Sequence, residues 1–138
     1  MAVDNDILID AGTGVADLSI AELAAIDHVF ITHTHLDHIA SLPLMVDTVG
    51  DRRTKPLMVY GTEAVLTILR NHIFNWAIWP DFAEIPNADT PFMRFCPIEI
   101  GKTTTLDGRG VTAIPADHTV PAVAYHLDSG LGSIVFSG

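Results

Sequence analysis

A chain of 138 residues, 49% hydrophobic and 17% charged, has enough apolar material for one packed core, which excludes a disordered polymer. Its 17 acidic residues against 7 basic ones give a formal net charge of −10, which repels polyphosphate and excludes nucleic acid as a partner without a local basic patch. No apolar run approaches membrane-spanning length, and the opening residues lack the basic start and apolar stretch of a signal peptide, so a cytoplasmic location is expected.

In chain order, Ile7-Leu8-Ile9 is a short apolar run that ends at Asp10 and enters Ala11-Gly12-Thr13-Gly14, the pattern of a buried strand feeding a glycine turn. Ser19-Ile20-Ala21-Glu22 has the form of a capping box and opens a short helix through Ile26. A second strand runs from His28 to Thr32, and a helix is expected over Ile39 to Val46, with Pro43 tolerated near its first turn. Asp51-Arg52-Arg53-Thr54-Lys55 reads as a solvated loop, not a basic cluster. Pro56 to Tyr60 is a third strand, closed by Gly61, and Thr62 can cap a helix reaching about Asn71. Periodicity does not phase His72 to Pro80, and Pro80 to Pro91 is loop-like. The remainder is strand-rich, with runs Met93–Ile100, Val111–Ala116, Val120–Leu127 and Ser133–Phe136 separated by turns such as Asp107-Gly108. Cys96, the lone cysteine, allows no internal disulfide and reads as a small buried apolar residue. This order, β-α-β-α-β-α and then strands, fits helices packed over sheets in a single α/β domain spanning residues 1–138.

The chemistry is concentrated in Thr32-His33-Thr34-His35-Leu36-Asp37-His38. In extended backbone, residues two apart point the same way, so His33 and His35 can grip one ion. Asp37 and His38 lie beyond the bend and can address a second ion beside it. Imidazole nitrogen and carboxylate oxygen suit zinc, and also manganese or iron. No cysteine lies nearby, so a closed thiolate site is excluded, and His/Asp sites with open positions are catalytic in style. Burying these groups unpaired would cost several kcal/mol, roughly, which makes plain core packing a poor account of them. The third nitrogen for the first ion must come from elsewhere, and His118, at the end of a strand-like run, is the best candidate. His28 and His126 read as ordinary surface residues.

The pattern His33-x-His35-x-Asp37-His38, preceded by Asp10-Ala11-Gly12-Thr13-Gly14, resembles the metallo-β-lactamase fold superfamily. A narrower similarity, to the class II 3′,5′-cyclic-nucleotide phosphodiesterases, runs through Phe30 to Pro43, His72 to Pro80, His118 to Tyr125 and Ile134 to Gly138. The resemblance implies an αββα sandwich with metals at one edge. It implies two zinc ions in the intact site, His33, His35 and His118 on one and Asp37 and His38 on the other. Asp37 would also orient the attacking water, and cAMP or cGMP would be the substrate. His72, Asn75, Trp76 and Trp79 are candidates for lining the base and ribose pocket, with core packing the plain alternative for the two tryptophans. Asp10 is expected to hold the turn or support a ligand, not to bind metal itself.

The family usually has a glycine-rich first hairpin before the Asp10 strand, and continues past Phe136-Ser137-Gly138 with a bridging aspartate and a later histidine. The chain is therefore expected to be a partial sandwich, to hold at most one ion tightly, to turn over weakly, and to self-associate through an exposed sheet edge. Rival expectations are an RNA-processing nuclease, a thioesterase, or a one-metal binding module without turnover.

Overall fold

In the computed structural model, which describes residues 1–138, two sheets pack face to face and helices cover the first. The first sheet has strand order β1 (Ala2–Val3), β2 (Ile7–Ile9), β3 (His28–Phe30), β4 (Leu57–Gly61) and β5 (Met93–Pro97). β1 pairs antiparallel with β2, and the other neighbours are parallel. The second sheet is an antiparallel meander of β6 (Thr103–Leu106), β7 (Arg109–Pro115), β8 (Val123–Asp128) and β9 (Ser133–Phe136).

Parallel neighbours require crossovers, and helices supply three of them. α1 (Ile20–Ala25) joins β2 to β3 and starts at the expected capping box, in which Ser19 and Glu22 satisfy each other's backbone N–H groups. α2 (Leu36–Ile39) and α3 (Leu42–Val49) lie between β3 and β4, with Pro43 in the first turn of α3. α4 (Glu63–His72) follows β4, and the Thr62 hydroxyl accepts from Val65 N–H at its start. No helix is long and apolar enough to cross a membrane.

Strand alternation divides the core in two. Leu8, Val29, Leu57, Val59 and Met93 face the helices and meet Leu23, Met45, Val46, Leu66 and Leu69. Ile7, Ile9, Phe30 and Tyr60 point the other way, onto Val111, Ala113, Val123, Tyr125 and Leu127 of the second sheet. The first sheet is thus buried on both faces, which explains why Ile7-Leu8-Ile9 has no polar position. The far face of the second sheet carries no helix, so the layers are helix, sheet, sheet.

Three local expectations need correction. The helix expected to begin at Ile39 is two helices, and Asp37 and His38 already belong to the first. Thr103–Leu106 is a strand that alternation did not reveal, joined to β7 through Asp107 and Gly108, both at positive φ. His28 is half-buried against Tyr60, whose hydroxyl lies 3.3 Å from its Nδ1.

Candidate metal centre

β2 and β3 are parallel neighbours and both deliver their C-terminal ends to the same edge. β2 ends at Asp10 and β3 runs out through Ile31 and Thr32 into the histidine loop. The second sheet reaches this edge too: Val123 N–H donates to Thr32 carbonyl (3.1 Å) and Tyr125 hydroxyl to Ile31 carbonyl (2.9 Å). His118, in the loop between β7 and β8, is thereby carried to His33 and His35.

The three imidazoles converge. The ring of His33 lies 4.8 Å from that of His35 and 4.5 Å from that of His118, and the His35 and His118 rings are 5.0 Å apart. Each offers one nitrogen, and these nitrogens all lie within 4.8 Å of one another. Two nitrogens on one tetrahedral zinc ion, each about 2.1 Å from it, stand about 3.4 Å apart, so the rings would turn inward to close the set. Three imidazole nitrogens with His35 and His118 exposed make an open site, and the donors fit a divalent ion of the zinc, manganese or iron type. Burial pushes the pKa of His33 below its ordinary value, helped by His38, His118 and His35 and opposed by Asp10, which keeps its lone pair available.

Asp37 and His38 stand beside this cluster, outside it. The His38 ring is 4.0 Å from that of His33, and its Nε2 is 3.4 Å from Oδ2 of Asp37, whose side chain is 76% exposed. A cavity of about 280 Å³ opens here, lined by Asp10, Gly12, Thr13, Asp37, His38 and Phe136 among others.

Asp10 lies beneath the loop at φ 57, a left-handed conformation that aspartate tolerates better than most residues. Its Oδ1 accepts from Thr32 N–H (2.8 Å), and the Thr32 hydroxyl donates to the same carboxylate (2.8 Å to Oδ2). Oδ2 also lies 2.6 Å from Nδ1 of His38. Gly12 is needed for space, since its φ of −82° is ordinary: a Cβ there would fall 1.7 Å from the Asp37 carbonyl oxygen. The close approach allows Ala11 N–H to donate to His38 carbonyl (2.7 Å) and Ser41 N–H to Ala11 carbonyl (2.8 Å). His118 is held differently, because its Nδ1 accepts from Thr119 N–H at 2.7 Å. A neutral ring so bound carries its proton on Nε2, and ligation through Nε2 requires that contact to break.

His72, Asn75, Trp76 and Trp79 do not join this group. α4 leaves β4 at the strand end near the metal loop and runs back along the sheet, so His72 closes it at its remote end and the other three follow. No helix forms beyond His72. Asn75 Oδ1 accepts from Ala77 and Ile78 N–H (3.1 and 2.8 Å), and its Nδ2 donates to Asn71 carbonyl (3.0 Å), so its amide is spent on the loop. Trp79 packs against the helix-side core, while Trp76 is 61% exposed at φ 64. Thr32, Gly12 and Tyr125, which shape the site, carry no sequence signal of their own beyond the glycine of the turn.

Residues 5–138 match the family model described as a beta-lactamase superfamily domain, and the chain belongs to this family. A probable 3′,5′-cyclic-nucleotide phosphodiesterase of Yersinia pestis is 33% identical over 60 residues, 44% of this chain and 16% of that protein. A ribonuclease Z of Methanococcus maripaludis is 35% identical over 107 residues, 72% of this chain and 31% of that protein. The chain thus spans less than a third of the length of either relative. Among solved structures, the metallo-beta-lactamase fold protein YhfI of Bacillus subtilis aligns with a TM-score of 0.72 at 17% identity, over 96% of this chain and 49% of that one. The fold is therefore that of the metallo-β-lactamases, and the family is one of hydrolases.

Proposed function

We propose that this chain carries the metal-binding part of a metal-dependent 3′,5′-cyclic-nucleotide phosphodiesterase. The observation that carries the reading is the convergence of His33, His35 and His118 at an open strand edge, with Asp37 and His38 beside them. His33, His35 and His118 would hold one ion, and Asp37 and His38 would face a second. A divalent ion bound here, zinc in the first instance, supplies a Lewis acid that lowers the pKa of water and offsets charge on phosphoryl oxygens. Asp37, with its exposed carboxylate, would take the proton of the attacking water at Oδ1 or Oδ2 and orient that water toward phosphorus. Water oxygen would bond to phosphorus as the P–O3′ bond breaks, and the proton held by Asp37 would pass to the 3′ oxygen to leave a nucleoside 5′-monophosphate.

A small cyclic phosphodiester suits the chain better than RNA, because a net charge of −10 without a basic cluster offers a polyanion no electrostatic anchor. The longer match to ribonuclease Z supports a second reading, a nuclease that takes its RNA-binding charge from elsewhere. The test has two parts. Calorimetric titration with zinc, manganese and ferrous ions should show binding that His33→Ala abolishes, and no binding would end the metal reading. Parallel assays on cAMP, cGMP, bis-p-nitrophenyl phosphate, a precursor tRNA and an acyl-glutathione should favour the cyclic nucleotides. Turnover confined to tRNA would select the nuclease, turnover confined to the thioester would select a thioesterase, and ion binding with no turnover would select a binding module.

A further inference from the structure

We propose that Asp10 is a positioning residue that fixes the ring tautomer of His33 and His38 together, through its one carboxylate and the hydroxyl of Thr32. The proposal rests on the reading of these histidines as metal ligands and adds what prepares them for it. Asp10, Thr32 and His33 are 6%, 0% and 2% exposed, so their hydrogen bonds are made with one another and not with water.

The proton count decides the tautomers. Asp10 sits among donors: Thr32 N–H and Thr32 O–H both point at it. His38 Nδ1 is the third group against the same carboxylate, at 2.6 Å from Oδ2. A carboxylate offers lone pairs only, so His38 must carry its hydrogen on Nδ1 and leave the Nε2 lone pair free. The Thr32 hydroxyl has a single hydrogen, and it is spent on Asp10. At 3.0 Å from His33 Nδ1 the hydroxyl oxygen can therefore only accept, so His33 also carries its hydrogen on Nδ1 and presents Nε2 as a base. Two rings, one from the loop after β3 and one from α2, are thus preset for ligation through Nε2, in the manner of the outer carboxylates that orient metal-bound histidines. One carboxylate reaches the first ring through a hydroxyl and the second directly, so the two rings share a single support. The left-handed backbone at Asp10 places the carboxylate there, and Gly12 lets the Asp10–Gly12 turn lie flat on the loop it supports.

Substitutions separate the two arms. Asp10→Asn keeps size and backbone preference but sets an NH2 or a lone carbonyl oxygen where two acceptors were. It cannot satisfy both Thr32 and His38, and one ring must change tautomer. Thr32→Val removes the hydroxyl at constant shape and frees His33 alone, and Thr32→Ser restores it. The direct readout is the ring-nitrogen chemical shifts of the metal-free protein, by 15N-detected NMR of labelled histidine at a pH where the rings are neutral. The expected result is Nδ1–H for His33 and His38 in the parent chain. Thr32→Val should lose this for His33 only, Asp10→Asn should lose it for at least one ring, and Thr32→Ser should recover it. Zinc affinity should fall by roughly 10–100-fold in Asp10→Asn and in Thr32→Val, with the double variant less than additive. Nε2–H rings in the parent chain, or a folded Thr32→Val with unchanged ring shifts, would overturn the proposal. Because the shifts are read without metal, Nδ1–H rings in a chain that binds no ion would sink the phosphodiesterase reading and leave this one standing.

Discussion

The hydroxyl of Tyr125 donates to the carbonyl of Ile31 at 2.9 Å, a bond between β8 of the second sheet and the end of β3 in the first. Both residues are fully buried, and burial pushes the phenol pKa far above its usual value, so the group stays a donor. With the Val123–Thr32 backbone bond it ties the meander to the strand that delivers His33.

Tyr125→Phe should therefore act on stability and on the site. Loss of the hydroxyl leaves Ile31 carbonyl without that donor in a dry environment, at a cost of about 1–3 kcal/mol. Urea unfolding measures the first effect. Calorimetric zinc titration measures the second, because His118 rides on the loop preceding β8, and a weaker affinity is expected. An unchanged affinity in a folded variant would show that the Val123 bond alone holds the register.

Gly12→Ala should be far more damaging than an exposed glycine change. The added methyl meets the Asp37 carbonyl, a backbone atom that cannot turn aside. The loop must move, and destabilisation of about 3 kcal/mol or more is expected, in line with severe overpacking. Gly14→Ala, with open space around its position, is the control and should be nearly neutral. Thermal melts of the two variants compare them directly.

At the opposite end of the sandwich Arg109, the first residue of β7, makes two bonds to Asp6 (2.8 and 2.6 Å) and one to Asp4 (2.8 Å). The Arg109 hydrogen bond holds the Asp6 carboxyl below its ordinary value of 3.8. A carboxyl with a depressed folded pKa contributes stability in full above the unfolded value, and that stability is lost as pH falls through the folded one. Unfolding free energy should thus drop on acidification below pH 3.8, and Asp6→Asn should remove this part of the slope. The pair is partly solvated, so the amount is on the order of 1 kcal/mol. Denaturation of both proteins across that range is the measurement, and parallel curves would remove Asp6 from the account.

The outer strand β9 predicts self-association. Of the four sheet edges, β5 carries Arg94 and Pro97, β6 is flanked by Lys102 and Asp107, and β1 is two residues long and followed by Asp4. β9, Ser-Ile-Val-Phe, has no charge or proline, and Ile134 and Val135 are 46% and 60% exposed. Such an edge pairs with its own kind unless guarded. Concentration-dependent dimers in sedimentation velocity, suppressed by Val135→Lys, are the expected result. Monomers at all concentrations would count against it.

How much of this was legible in the sequence follows from how local each signal is. His33, His35, Asp37 and His38 sit within six residues and announce themselves, and the Ser19 and Thr62 caps act over three. His118 could be nominated only as a strand-end histidine, since its approach to His33 depends on how two sheets stack. Thr32 and Tyr125 look like any strand residues, and their role exists only across the sandwich. The Thr103–Leu106 strand was hidden because Thr-Thr-Thr shows no alternation. The Asn75–Trp79 loop was unreadable because an asparagine side chain, not a backbone ladder, organises it.

The backbone contact at His118 sets this ring apart from its partners. Its Nδ1 lone pair is already committed to Thr119, whereas the proposed tautomers of His33 and His38 need no change. An arriving cation would settle first against the prepared rings and recruit this corner afterwards, at the expense of a broken amide contact. Departure would begin at the same corner, so one peptide N–H that touches no metal would bear on how fast the ion exchanges.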